Sequence, residues 1–117
     1  MISPSHFQEH KPLSEATLFI LLSLSGKSRH GYAIMKDVET MSRGRVALST
    51  GTLYGALRRL LEDDWIRRAG DEAPSEQGRV RKVYTLTDQG RRILNTEVAR
   101  LEMLVTTAQL RLAPGQS

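Results

Sequence analysis

The chain has 117 residues, 39% hydrophobic and 26% charged, with a net charge of +4 and no cysteine. That length suits one globular domain with a single modest core, and the missing cysteine excludes a disulfide scaffold, a thiolate metal site and a cysteine nucleophile. No apolar run reaches the length of a membrane helix, and Met1 to Pro12, with His6, Glu9 and His10, does not read as a signal peptide, so a cytoplasmic protein is expected.

Residues 1–12 read as a tail closed by Pro12, after which Ser14 is placed to cap a first helix. Leu18, Leu21, Leu22 and Ser25 follow near-helical spacing and Ile20 and Leu24 fill the gaps, which predicts a helix buried on most sides. Gly26-Lys27-Ser28 ends it. A second helix starts near His30 and Gly31. Its apolar stripe is Ile34, Met35, Val38 and Met41, and Gly44 suits a left-handed residue past its last turn.

The third helix has the clearest start. Ser49 is a good N-cap, and Leu53, Leu57, Leu60 and Leu61 form one stripe. The opposite face carries Gly51, Thr52, Gly55, Arg58, Arg59 and Glu62, small and polar at first and basic one turn later. Trp65 to Arg68 and Val80 to Leu86 read as two strands around a polar, Gly- and Pro-containing loop, with Val83 and Thr85 alternating against Lys82 and Tyr84. Thr87 caps a last helix, and Asp88 suits its first turn. Along it Leu94, Val98, Leu101, Val105, Ala108 and Leu112 recur at alternating steps of four and three, a heptad seam expected to join two subunits. Pro114-Gly115 stops it.

Charge follows the same division. Lys27, Arg29, Lys36, Arg43, Arg45, Arg58 and Arg59 face only Asp37 and Glu39 in one block, and Arg79, Arg81, Lys82, Arg91 and Arg92 face only Asp88 in another. Between them lies an acidic stretch in which Asp71, Glu72 and Glu76 would repel phosphate, so the loop tip is expected to contribute less than its base. Three helices, a hairpin and a final helix predict a mainly α fold with a small β-hairpin: a winged helix-turn-helix plus a C-terminal dimerisation helix. The expected division is a tail over 1–12, the winged module over 13–88, the dimerisation helix over 89–113 and a tail over 114–117.

A helix entering a major groove about 12 Å wide presents its N-terminal residues to the bases, where bulky side chains would hold the backbone away. Ser49, Thr50, Gly51 and Thr52 are small, and their amides at the helix start can hold a phosphate. Arg58 and Arg59 reach flanking phosphates or bases, and Arg79, Arg81 and Lys82 supply a second contact from the hairpin. One enzyme-like pattern, His6-Phe7-Gln8-Glu9-His10, has the spacing of an inverted zincin site. It sits in the tail without a third ligand, so neither a metal nor catalysis is expected, and no cofactor is either.

At this point the sequence resembles a known family. His30-Gly31-Tyr32-Ala33-Ile34, then Ser49-Thr50-Gly51-Thr52-Leu53-Tyr54, then Arg81-Lys82-Val83-Tyr84-Thr85-Leu86-Thr87-Asp88-Gln89-Gly90, look like the three signature segments of the PadR family of transcriptional regulators. The resemblance spans roughly residues 13–112. It implies a homodimeric repressor that binds double-stranded DNA at an inverted-repeat operator and is released by a small-molecule effector, with Tyr32 and Tyr54 among the DNA contacts. Rival readings are a winged-helix protein-interaction module, which would need no basic recognition face, and a multidrug-binding sensor. Compact members that bind flat aromatic drugs carry a tryptophan on the final helix, whereas the one tryptophan here is Trp65, at the start of the wing.

Overall fold

The computed structural model describes residues 11–71 and 82–115. Helix α1 (Glu15–Ser23) leads into a two-residue strand β1 (Arg29–His30). Helices α2 (Gly31–Met41) and α3 (Thr50–Glu62) follow, then strands β2 (Ile66–Asp71) and β3 (Lys82–Leu86), and finally the long helix α4 (Asp88–Leu112).

Each helix starts where its sequence supplies an acceptor. Ser14, Ser49 and Thr87 accept from the amides of Thr17, Thr52 and Gly90, and the His30 side chain accepts from Ala33. Each such cap satisfies an amide that the helix cannot. Helix α2 ends in two left-handed residues, Arg43 (φ 55°) and Gly44 (φ 81°), and the Gly44 amide donates to the Glu39 carbonyl at 2.8 Å. Gly44 fits that geometry at no steric cost, whereas the left-handed Arg43 was not anticipated.

One core joins the elements. Ile20, Leu21 and Leu24 from α1 meet Ile34 and Val38 from α2, Leu53, Leu57 and Leu60 from α3, and Ile66, Tyr84, Leu86 and Leu94. Leu18, Phe19 and Leu22 are partly buried as well, so α1 is covered on most sides as its sequence predicts. Side chains buried this fully are worth about 1.5–3 kcal/mol each against exposure.

The structure corrects the expected hairpin in two ways. The sheet has three strands in the order β1-β3-β2, all antiparallel, because Arg29 and His30 pair with Tyr84 and Val83 on the outer edge of β3. Two residues show no periodicity, so this strand was invisible in the sequence. The inward face of β3 is also the opposite of the expected one. Tyr84 and Leu86 are buried, while Val83 and Thr85 are only half-buried. The larger side chains fill the space against the helices, and the β-branched pair takes the other face. A bulge between Arg68 and Gly70, with Gly70 at φ 112°, interrupts the pairing of β2 with β3.

Helix α4 begins in the body of the molecule. Gly90 packs so tightly against the carbonyl of Trp65 that a Cβ there would overlap it, and the Thr87 amide donates to the same carbonyl at 3.0 Å. Leu94, expected in a subunit seam, is 4% exposed and belongs to the core of its own chain. It lies under two turns into a helix whose first part must cover the core, so any seam starts beyond it. No described helix is long and apolar enough to cross a membrane.

Candidate nucleic-acid interface

Helix α3 is amphipathic, and its two faces do different work. Leu53, Ala56, Leu57 and Leu60 are buried, which fixes the rotation of the helix about its axis. The other face is thereby turned to solvent: Thr50, Gly51, Thr52, Tyr54, Arg58 and Arg59 are exposed and Gly55 is half-exposed. Ser49 Oγ accepts from the Thr52 amide at 3.1 Å and donates to Thr52 Oγ1 at 2.9 Å. Both hydroxyls are thus engaged in the cap. The next amide, that of Leu53, reaches the Ser49 carbonyl. The amides of Thr50 and Gly51, ahead of the first helical hydrogen bonds, are the groups that point out of the helix end.

Small residues set how this face is shaped. The Tyr54 ring lies against Gly31, where a Cβ would stand 2.6 Å from the phenolic oxygen. Gly31 therefore lets the starts of α2 and α3 approach. A Cβ at Gly55 would lie 3.8 Å from Arg59 Nη1, so the guanidinium runs back along the outer face over a position without a side chain. Tyr32 is 60% exposed at the start of α2, with Lys36 Nζ 5.9 Å from its ring centroid.

The described cations are not equivalent. Arg29 donates to the Ser23 carbonyl at 2.8 Å and lies 3.5 Å from Asp37, so it serves the scaffold. Arg45 is paired with Glu15. Lys82, Arg67, Arg91 and Arg92 are exposed. Tyr84, between Arg29 and Arg68 in the sheet register, has its phenol pushed above its ordinary pKa chiefly by burial, then by the neighbouring Tyr54, with Arg68 pulling the other way.

The expected site residues Tyr32, Ser49, Thr50, Gly51, Thr52, Tyr54, Arg58, Arg59 and Lys82 are all exposed. Tyr54 and Gly31 are brought together across two helices. Arg79 and Arg81, Glu72 and Glu76, and the tail motif from His6 to His10 lie outside the described residues, as does the side chain of Asp71. Among the described residues no group of acidic or histidine side chains could hold a metal ion.

On α4, Val98, Val105 and Leu112 are exposed, at 36%, 54% and 80%. Ala108 is exposed too and Leu101 half-buried. With Leu18 and Leu22 of α1, Val98, Leu101 and Val105 line an open groove of about 440 Å³. Sequence reasoning missed Glu97, which is 1% exposed on this same side of α4. It accepts from the Leu13 amide at 3.0 Å and takes two hydrogen bonds from Arg100, each 2.8 Å. The available signal was an acid lying beside the apolar stripe with an arginine three residues later.

A second cleft, of about 320 Å³, lies where the segment before α1 meets the end of α3. Lys11, Leu13, Arg59, Asp63, Trp65 and Ile93 are among the residues that line it.

Comparison with known proteins agrees with this architecture. The model of the transcriptional regulator PadR-like family matches residues 20–96. An uncharacterized 37.1 kDa protein of transposon TN4556 from Streptomyces fradiae is 33% identical over 91 residues, covering 78% of this chain and 24% of that protein. The transcriptional regulator YqjI of Escherichia coli is 31% identical over 90 residues, covering 77% and 41%. The chain thus spans less than half the length of these relatives. Among solved structures, a PadR family transcription regulator from Clostridium difficile superposes with a TM-score of 0.70 at 26% identity, covering 86% of this chain and 100% of that one. A PadR-like transcription factor from Bacteroides fragilis gives 0.66 at 29% identity, covering 80% and 85%. A family match through the core, α2, α3 and the sheet, on a winged helix-turn-helix frame, makes this chain a member of the PadR-like family of transcriptional regulators.

Proposed function

We propose that this chain is a homodimeric, sequence-specific repressor that binds an inverted-repeat operator through α3 and the base of the wing, and that a small molecule releases it. The observation that carries this reading is the outer face of α3. A helix anchored by four buried apolar residues presents a small, hydroxyl-bearing leading end and two exposed arginines to solvent. Thr50, Gly51 and Thr52 approach base edges, with Ser49 setting the helix start. Tyr32, Tyr54, Arg58 and Arg59 contact phosphates or flanking bases, and Arg79, Arg81 and Lys82 contact the backbone from the wing. Residues 13–88 form the winged module and 89–113 the dimerisation helix, through Val98, Leu101, Val105, Ala108 and Leu112.

Fragments selected from random DNA on the full-length protein supply the operator. Binding is then measured by anisotropy of a labelled fragment. Arg58→Ala should weaken binding by about 1–3 kcal/mol if it reads a base, with relaxed preference at one position. Unchanged affinity across a salt series would remove Arg58 from the interface.

A further inference from the structure

The cleft between the segment before α1, the end of α3 and Trp65 has features that DNA contact does not use. Its volume of about 320 Å³ falls in the range of small-molecule sites. Its apolar lining includes Leu13, Leu60 and Ile93, and the half-buried Trp65 adds an aromatic surface. Three ionisable groups line it, Lys11, Arg59 and Asp63, so cations outnumber the anion. One wall is held in place. The Leu13 amide donates to the buried Glu97, which Arg100 clamps with two further hydrogen bonds. A wall already ordered costs little entropy when a ligand arrives.

We propose that this cleft binds an aromatic carboxylate and that its occupancy weakens DNA binding. The ring packs against Trp65 and Ile93, and the carboxylate pairs with Lys11 and Arg59. Arg59 is the link, and this second half rests on the DNA reading above. Its guanidinium lies over Gly55 on the outer face of α3 while the residue also borders the cleft. A carboxylate in the cleft competes with a DNA phosphate for the same charge-assisted hydrogen bonds. The excess of cations favours a planar anion over the planar cations of a multidrug sensor.

Trp65 is the only tryptophan, so its emission in the full-length protein reports on the cleft directly. The probe is para-chlorobenzoate, with neutral para-chlorobenzamide as the control. A saturable emission change with the acid is expected, weakened about tenfold or more for the amide and for the exposed Lys11→Gln, as for loss of a charged hydrogen bond. Thr17→Phe, which fills the cleft, should abolish the response, and Lys11→Gln carries the test if that variant does not fold. Saturating acid should lower affinity for the selected DNA fragment several-fold. No saturable response, or equal binding of acid and amide, overturns the site. A response with unchanged DNA affinity overturns the coupling. A protein that answers the probe yet binds no DNA fragment overturns the DNA reading while supporting the site.

Discussion

Two glycines differ in what a single methyl group would cost. At Gly90 an added Cβ meets backbone, the carbonyl of Trp65, and that carbonyl is itself tied to the Thr87 amide. Neither partner can move without separating α4 from the sheet. At Gly31 the obstacle is the far end of the Tyr54 side chain, which is 45% exposed and can swing away. Gly90→Ala should therefore destabilise by about 3 kcal/mol or more and Gly31→Ala by about 1 kcal/mol, as overpacking does in rigid and yielding sites. Thermal melts of the two variants check the order, and equal losses would contradict it. Tyr84 makes a second prediction at this scale. Burial raises its pKa above the ordinary value near 10, so the folded chain holds the phenolic proton more tightly than the unfolded chain. The corresponding stability is fully present below about pH 10 and is lost as pH rises through the folded pKa. Urea midpoints measured at rising alkaline pH should fall less steeply in Tyr84→Phe than in the parent. An identical slope would assign the alkaline loss to other groups.

Among the elements, α4 divides in two. Its first turns supply Gly90, Leu94 and Glu97 to the body, and its later turns carry exposed Val105, Leu110 and Leu112. A uniform heptad pattern therefore serves two different packings. The first is within the chain, and the second is the proposed subunit contact. Val105→Asp tests the second part without disturbing the first, because Val105 is 54% exposed in the single chain. It should leave the thermal melt of the folded chain within about 0.5 kcal/mol, as surface changes do, while light scattering shows the mass of one chain. A mass of two chains in that variant would remove Val105 from the contact. Helix α3 is the opposite case: one element with one buried face, whose rotation is set by four apolar residues and whose function depends on that rotation.

Over the whole molecule, the basic face decides how association responds to ionic strength. Affinity for the selected operator should fall linearly on a log–log salt plot, with a slope of roughly 0.9 per phosphate neutralised. Cations engaged within the scaffold should not add to it. Arg29, tied to Ser23 and Asp37, is one of these. Fluorescence anisotropy over a salt series should give a slope lowered by about 1 in a variant lacking a phosphate-contacting arginine. A slope near zero for the parent would mean that the basic surface is not the DNA interface.

The order and ends of the helices were legible in the sequence because their causes are local. Ser14, Ser49 and Thr87 cap where they stand, Gly44 closes α2, and the 3.6-residue stripe of α3 names its buried face before any neighbour is known. The leading residues of that helix, from Ser49 to Thr52, followed from the same stripe. Strand β1 was not legible, since two residues hold no period and Arg29 and His30 become a strand only by pairing with β3. Nor was the inward face of β3, where Val83 and Tyr84 are both acceptable inside and the space left by the helices selects the larger ring. Leu94 and Glu97 were likewise undetermined: a heptad says which residues share a face, and only the folded chain says what that face meets. Sequence alone therefore fixed what depends on neighbours along the chain, while tertiary structure decided what depends on neighbours in space: the third strand, the clamp on Leu13 and the cleft beside Trp65.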